Sequence, residues 1–519
     1  MYQGDIEVNN FTSRFWTNIK VFKGLNIEAS YTYRRNNSQE EETPVYADRW
    51  SFQSNTITQM AAGRTFVRNK NWTNTHHVAD VVARYQKTFF DKLDVGILVG
   101  ASQEKDNVKW FEAKRYDLLA DNLSVINGAT GDSETSGAAT DWVMRSYFGR
   151  INLSWADKYL FEGNIRRDGS SRFHKDHRWG TFPSFSLGWR MSEEKFIKDL
   201  GIFSNLKLRL SYGETGNQGI GSYRTLPMLN MANYPFGGAI NSGFAEVDWR
   251  GPVSDDLRWE TTAQYNVGID MGFLNNRINL TVDYYHKKTR DLLQDVKIPS
   301  STGFGSMMVN SGHITNEGLE LTGKFYVLQN TPLKWNIDAN ISFNRNRIGG
   351  LKADQFAQKL WSSADEVFIQ RNGCPIGAIY GYVEDGFYDN LAEVMTSPSA
   401  DIRAKGAGMI GEIKYRNFDD NPDITSADRV IIGDTNPDFV YGLTSNFEWK
   451  GVTLSFFLQG SQGNDIFNGN LMDMKMGNVG NITREAYNTR WTEANAAQAK
   501  WPKAVSGYER NMPVSYTHL

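Results

Sequence analysis

The segment NFDDNPDITSAD, residues 417–428, carries oxygen-bearing side chains at a spacing that suits a calcium ion. Counted from the first residue, they fall at positions 1, 3, 5, 7, 9 and 12, as in an EF-hand-type loop that supplies about 6–8 oxygen ligands. Two features depart from that pattern, because Pro422 replaces the glycine of position 6 and the last carboxylate is an aspartate. The alternative is a solvated acidic loop with a series of Asx turns. The predicted ligands are Asn417, Asp419, Asn421, Asp423, Thr425 and Asp428.

Two further segments resemble chemical motifs without completing them. GLELTGKF, residues 318–325, matches the glycine and lysine spacing of a phosphate-binding loop, but Phe325 occupies the position of the magnesium-binding Ser or Thr. We interpret it as an ordinary strand. His174 and His177, with Asp176 between them, could chelate a metal, but the segment lacks a further clear ligand and is interpreted as a solvated loop.

No catalytic arrangement stands out in the sequence. It has no HExxH or CxxC pattern and no acidic pair that is distinguished as acid and base. We therefore predict that the protein is not an enzyme and requires no cofactor, with Ca²⁺ as the one candidate ion. The net charge of -3 gives no indication of a nucleic-acid partner, and the single cysteine, Cys374, excludes an internal disulfide.

Polar and apolar residues alternate along most of the chain with the period of a β-strand. In the segment 261–288, for example, every second residue is apolar, from Ala263 to Phe273 and again from Ile278 to Tyr284, while the residues between them are polar. Seven pairs of such segments are joined by short turns, which predicts fourteen strands in seven hairpins. The pairs are 15–22 with 25–35, 78–88 with 93–104, 142–155 with 159–168, 182–191 with 206–212, 261–273 with 278–288, 319–328 with 333–346, and 439–449 with 452–458.

Long connections separate these hairpins, so short and long connections alternate. The long ones include residues 36–75, 105–141, 213–259 and 347–438. Strand lengths near the 9–11 residues of a tilted membrane-crossing strand, and turns that are short at one rim only, are typical of outer-membrane barrels. The predicted fold is all-β, a large antiparallel up-and-down transmembrane β-barrel whose long loops are extracellular. A soluble β-sandwich with one wet face is the alternative, but it explains neither the strand lengths nor the alternation of loop lengths.

Several segments, in their order and spacing, resemble the SusC/RagA-like family of TonB-dependent outer-membrane transporters. They are RWGTFPSFSLGWRMSEEKF (178–196), LKLRLSYGETGNQGIGSY (206–223), LRWETTAQYNVGIDMGFLNNRINLTVDYYHKKTRDLL (257–293), NSGHITNEGLELTG (310–323), IGAIYGYVEDGFYD (376–389) and IKYRNFDDNPDITSADRVIIGDTNPDFVYG (413–442).

This resemblance implies a 22-stranded barrel in the outer membrane of a Gram-negative bacterium, with an N-terminal plug domain inside it. It also implies a SusD-like surface lipoprotein over the extracellular mouth, energy from the TonB complex, contact with outer-membrane lipid, and a cargo of oligosaccharides or oligopeptides. Against that pattern the sequence shows about fourteen strands and lacks a plug domain, a TonB box and a signal peptide.

We therefore expect a partial transporter barrel over residues 1–490 and a truncated end over 491–519, with a non-native tail at 513–519. Such a fragment is not expected to transport on its own. Two alternatives remain for the function. One is a barrel receptor for siderophores or cobalamin, and the other is an extracellular β-rich carbohydrate-active enzyme or adhesin.

Overall fold

The computed structural model describes residues 2–44, 48–52, 54–59, 65–120, 123–227, 230–236, 239–245, 252–360, 365–468 and 482–504. Four short α-helices lie in this part of the chain, α1 (Lys195–Lys198), α2 (Leu391–Met395), α3 (Ala400–Lys405) and α4 (Arg484–Thr489). None of the described helices is long and apolar enough to cross a membrane.

β-Strands make up most of the described chain. Those of the first half are β1 (Tyr2–Phe22), β2 (Leu25–Pro44), β3 (Asp48–Ser51), β4 (Thr56–Gln59), β5 (Phe66–Phe89), β6 (Leu93–Tyr116), β7 (Ser133–Trp155), β8 (Tyr159–Ser170), β9 (Trp179–Arg190), β10 (Phe203–Asn217), β11 (Asn230–Phe236) and β12 (Ala239–Ala245). Those of the second half are β13 (Glu260–Phe273), β14 (Ile278–Arg290), β15 (Leu293–Lys297), β16 (Ser306–Asn310), β17 (His313–Leu328), β18 (Leu333–Gly349), β19 (Gln355–Leu360), β20 (Asp365–Gln370), β21 (Ala378–Gly381), β22 (Glu384–Phe387), β23 (Ile413–Tyr415), β24 (Val430–Asp434), β25 (Phe439–Trp449) and β26 (Val452–Gln462).

Fourteen of these strands form one large antiparallel sheet. Its order is β1-β2-β5-β6-β7-β8-β9-β10-β13-β14-β17-β18-β25-β26. Each successive pair in this order is a hairpin of the sequence, so the predicted fourteen strands in seven hairpins are confirmed. The remaining strands form small sheets within the connections, of which the largest has the order β19-β20-β21-β24.

The large sheet has one apolar and one polar face, because successive side chains of a strand point to opposite sides. In β13 the side chains of Tyr265 and Val267 are 57% and 48% exposed on the apolar face. On the polar face of the same strand, Asp270 accepts a hydrogen bond of 3.1 Å from the Thr281 hydroxyl of β14. A strand pair with both properties suits apolar surroundings on one side and water or polar groups on the other.

The turn between β13 and β14 shows how the sequence sets these hairpins. Asn275 and Asn276 adopt φ values of 55° and 61°. This left-handed conformation matches the twist of the flanking strands and is tolerated by asparagine better than by most residues. The turn therefore fixes which residues of the two strands face each other.

The predicted loops 36–75 and 105–141 are shorter in the structure than the sequence indicates. β2, β5, β6 and β7 are 20, 24, 24 and 23 residues long and extend far into these segments. Their outer parts lack apolar alternation, so periodicity missed them. Polar cross-strand contacts hold them instead, such as the ion pairs of Arg68 in β5 with Glu40 and Glu42 in β2, and a 2.7 Å hydrogen bond from the Thr73 hydroxyl to Asn37.

The connection predicted over 347–438 contains secondary structure of its own. It holds the six short strands β19 to β24 and the helices α2 and α3. The connection predicted over 213–259 overlaps the end of β10 and contains the hairpin β11–β12. Periodicity overlooked these strands because they are only four to seven residues long or less.

The described chain divides into two compact units. The first comprises Met1–Glu194, Arg209–Ala263 and Leu293–Asn310, and the second comprises Lys195–Leu208, Gln264–Leu292 and Ser311–Leu519. A buried cluster in the first unit consists of Phe173, Phe182, Ile220, Leu257 and Trp259. A smaller one in the second unit consists of Ile369, Ala378 and Tyr380, with Phe356 and Cys374 packed against it.

Candidate functional site

The predicted calcium loop folds as a chain of Asx turns. The backbone N–H of Asp419 donates to the side-chain oxygen of Asn417 at 3.0 Å, that of Asn421 to Asp419 at 2.9 Å, and that of Asp423 to Asn421 at 3.1 Å. Asp423 also accepts a hydrogen bond from the hydroxyl of Ser399. Each of these side-chain oxygens is therefore directed to the protein rather than to a common centre.

Asp428 closes the same loop from a fully buried position. Its two carboxylate oxygens accept hydrogen bonds of 2.8 Å from the backbone N–H groups of Phe418 and Thr425. Thr425 caps the short 3-10 turn that follows and completes a capping box with Asp428. The carboxylate thus ties the two ends of the loop together.

The described part of the chain holds no group of three or more His, Cys, Asp or Glu side chains arranged to hold a metal ion. The six loop residues are close in space, as the sequence predicts, but their oxygens satisfy backbone donors. Calcium binding by this loop stays a prediction.

The loop lies in a segment that is held by buried polar groups. Lys414 donates a 2.7 Å hydrogen bond to Glu393, and this contact lowers the pKa of the Glu393 carboxyl and raises the pKa of the Lys414 ammonium. Burial raises the pKa of the Tyr415 phenol, which stays neutral as a result. These contacts fasten α2 to β23 and give the segment a defined fold.

The other two segments that resemble motifs behave as interpreted. Residues 318–325 lie within β17, and Lys324 faces Asp338 of β18 at 3.7 Å. His174 contacts Asp176 at 3.2 Å, whereas His177 contacts Asp256 at 3.6 Å. The two histidines therefore pair with different carboxylates.

The first unit contains a cavity of about 690 Å³ on the polar face of the sheet. Strand register builds it, because Arg84 of β5 pairs with Leu98 of β6, Leu98 with Arg150 of β7, and Arg150 with Asn164 of β8. Directly paired residues lie on the same face of a sheet. These four side chains thus form one row across four strands.

A second row adds a third arginine, Arg166 of β8, which pairs with Phe148 of β7. The Arg166 Nε donates to both carboxylate oxygens of Asp168 at 2.8 and 2.9 Å, and Nη2 donates to the Ser146 hydroxyl at 2.8 Å. Both partners are buried. Charge-assisted contacts of this kind fix the guanidinium in place.

Aromatic rings cover the floor of the cavity because glycines face them. A Cβ at Gly100 would lie 2.6 Å from the Phe148 ring, and one at Gly216 would lie 2.0 Å from the Phe182 ring. The glycines allow both rings to lie against the backbone. The Arg166 guanidinium stands 5.4 Å from the centroid of the Phe148 ring, so a cation and an aromatic surface adjoin.

Sequence reasoning did not find this cavity. Its residues lie on five strands between positions 84 and 216 and carry no motif. The available signal was polar alternation with an excess of arginine, at Arg84, Arg150 and Arg166. Only the register of the strands shows that these three arginines meet.

Comparisons with known proteins agree with this architecture. The family model described as "TonB dependent receptor-like, beta-barrel" matches residues 2–379. The TonB-dependent receptor P3 of Formosa agariphila is 30% identical over 501 residues, covering 94% of this chain and 48% of that protein. The TonB-dependent receptor SusC of Bacteroides thetaiotaomicron is 36% identical over 340 residues, covering 64% of this chain and 32% of that protein.

A solved structure of the RagAB peptide transporter has the same fold, with a TM-score of 0.81 at 21% identity, over 99% of this chain and 54% of that one. The chain spans about half the length of the first curated relatives that it matches. The match of the family model to most of the chain, together with the two-faced fourteen-stranded sheet, shows that the chain belongs to the TonB-dependent receptor-like β-barrel family, is of the SusC/RagA type, and resides in the outer membrane.

Proposed function

We propose that this chain is part of an active importer that moves oligosaccharides or oligopeptides across the outer membrane with energy from the TonB complex. The observation that carries the proposal is the two-faced sheet. Its apolar face suits acyl chains, and its polar face offers hydrogen-bonding groups that replace water around a hydrated cargo. The family consists of transporters, which supports import rather than catalysis.

The class of cargo follows from the relatives. SusC is the curated relative with the highest identity among those described above, and the solved structure of the same fold is titled as a peptide transporter. Both support a polymer-derived cargo larger than a siderophore. The cavity of about 690 Å³ on the polar face is large enough for several cargo groups.

Uptake by cells tests this function. Fluorescently labelled oligosaccharides and oligopeptides are supplied to the parent strain and to a strain that lacks the gene, with and without a protonophore. We expect uptake of at least one class to require both the gene and the proton gradient. Uptake of an iron–siderophore complex alone would favour the siderophore receptor instead, and hydrolysis of a polysaccharide by the purified protein would favour the enzyme.

We further propose that a SusD-like surface lipoprotein covers the extracellular side of the barrel and assists cargo capture. The resemblance to SusC and to the RagAB complex supports this partner. Affinity purification from detergent-solubilised outer membranes is expected to recover a lipoprotein in near-equal amount. Recovery of the receptor alone under mild detergent conditions would contradict the partnership.

A further inference from the structure

We propose that the arginine-lined cavity on the polar face of the first unit is a subsite for a carboxylate group of the cargo. The inference rests on the import function proposed above and specifies the chemistry of what is imported. Three observations carry it: the uncommitted hydrogen-bonding capacity of two arginines, the charge balance of the cavity, and its aromatic floor.

The first observation is that Arg84 and Arg150 keep donors available, whereas Arg166 does not. Arg150 donates from Nε to Asn164 at 2.6 Å, and its nearest carboxylate, Glu162, is 3.9 Å away. The ion-pair partner of Arg84 is Glu28, at 3.7 Å. Both carboxylates are beyond hydrogen-bonding distance. The terminal nitrogens of the two arginines therefore lack a close acceptor among the described residues.

The second observation is the charge of the cavity lining. Three arginines and two carboxylates, Asp168 and Glu214, line it, which leaves 3 − 2 = +1. Asp168 is matched by its two contacts with Arg166, and Glu214 accepts a 2.6 Å hydrogen bond from the Tyr212 hydroxyl. The remaining positive charge lies on Arg84 and Arg150, which are 58% and 49% exposed.

The spacing of these two arginines suits an anion between them. Arg84 and Arg150 lie two strands apart in one row, with Leu98 between them. Neighbouring strands are about 4.8 Å apart, so the two backbones are separated by about 10 Å. Arginine side chains that lean toward each other across this gap reach a carboxylate from both sides, and guanidinium groups bind carboxylates with two parallel hydrogen bonds.

The third observation is the aromatic floor beside the charge. The faces of Phe148 and Phe182 offer apolar contact next to the guanidinium groups, and such faces pack against sugar rings and apolar side chains. A uronic acid in an oligosaccharide and a terminal or acidic residue in a peptide both combine a carboxylate with an apolar surface. The shared chemistry is the carboxylate, and the probes below separate its two sources.

Binding measurements with the purified receptor in detergent test the subsite. The acidic probes are a hexamer of galacturonate and an acidic hexapeptide, and the neutral probes are maltohexaose and the same peptide with Gln for Glu and an amidated end. We expect one acidic probe to bind at least tenfold more tightly than its neutral partner. We expect Arg84→Gln with Arg150→Gln to remove that preference, since a hydrogen bond to a charged group contributes roughly tenfold or more to affinity.

Arg145→Gln is the matched control, because Arg145 lies on the opposite face of the same strand and contacts Gln103 at 2.8 Å. It is expected to leave the acidic preference unchanged. Arg150→Lys retains the charge but loses the bidentate geometry, so it is expected to weaken the preference partially and serves if the Gln variant is not recovered.

The outcomes separate this proposal from the import function. Equal binding of acidic and neutral probes, binding of neither acidic probe, or an unchanged preference in the Arg84 and Arg150 variant overturns the carboxylate subsite. If cells still take up neutral cargo through the receptor in that case, the import function stands. Loss of all receptor-dependent uptake in the parent strain would overturn the import function itself.

Discussion

The assignment of an apolar face to lipid gives a sharp prediction at Val267. This residue lies seven positions after Glu260 and six before Phe273, in the middle of the 14-residue strand β13. Thirteen steps of about 3.4 Å give about 44 Å, and a tilt of about 45° reduces this to about 31 Å along the membrane normal. This is close to the hydrocarbon thickness, so Val267 is placed near the bilayer midplane.

Arginine at that depth on the lipid face costs about 2–4 kcal/mol of folding free energy. Val267→Arg is therefore expected to shift the folding equilibrium roughly 30- to 900-fold toward the unfolded state. Asn266→Arg, one residue away on the polar face, introduces the same side chain into wet surroundings and is expected to cost much less. The pair differs in face alone, which makes the second variant a matched control.

Unfolding in phospholipid vesicles measures both variants. Urea titrations followed by tryptophan fluorescence give the midpoint and slope for each protein, and the slope checks that the same surface is exposed on unfolding. The predicted order of stability is the unmodified chain, then Asn266→Arg, then Val267→Arg. Equal losses at the two positions, or the reverse order, would refute the assignment of the faces.

Three further predictions concern the soluble parts of the fold. Phe173→Ala removes a ring that is 1% exposed and is expected to cost about 3–5 kcal/mol in thermal unfolding, whereas Phe90→Ala, where the ring is 86% exposed, should change little; equal losses would contradict the cluster. Because Lys414 lowers the pKa of Glu393, that carboxylate contributes stability above its ordinary pKa of about 4.3 and loses it as the pH falls through the lowered value. Lys414→Met should therefore make segment unfolding, followed by hydrogen exchange, less sensitive to acidification; an unchanged acid dependence would count against the pair. If the 417–428 loop binds calcium, calorimetry should show saturable Ca²⁺ binding that Asp419→Asn weakens; absence of heat up to millimolar Ca²⁺ would favour the Asx-turn alternative.

The sequence was most informative where one face of a strand is apolar. All seven hairpins were predicted because alternation such as that from Ala263 to Phe273 requires a strand with two different surroundings. The polar extensions of β5 and β6 were missed, since both faces there are wet and apolar periodicity disappears. Contacts such as that of His76 with Asp106 at 3.2 Å hold these extensions, and they depend on a register that the sequence does not display.

The candidate sites divide in the same way. A contiguous motif such as 417–428 is visible in the sequence, but the direction of each oxygen is decided by local backbone donors, as the hydrogen bond from Phe418 to Asp428 shows. The cavity depends instead on residues far apart in the chain. Arg84 and Arg150 are separated by two hairpin turns, so only strand pairing brings them into one row.

The most direct test of the account is the accessibility of single spin labels in the reconstituted protein. Cys374 is first replaced by serine, and cysteines for labelling are then placed one at a time at Val267, Ile165, Asn266 and Asn164. Labels at Val267 and Ile165 are predicted to collide with oxygen dissolved in the bilayer and to be protected from a water-soluble nickel complex, while labels at Asn266 and Asn164 show the opposite. Equal accessibility of neighbouring positions to both reagents would contradict a sheet with one face in lipid and the other in a wet passage.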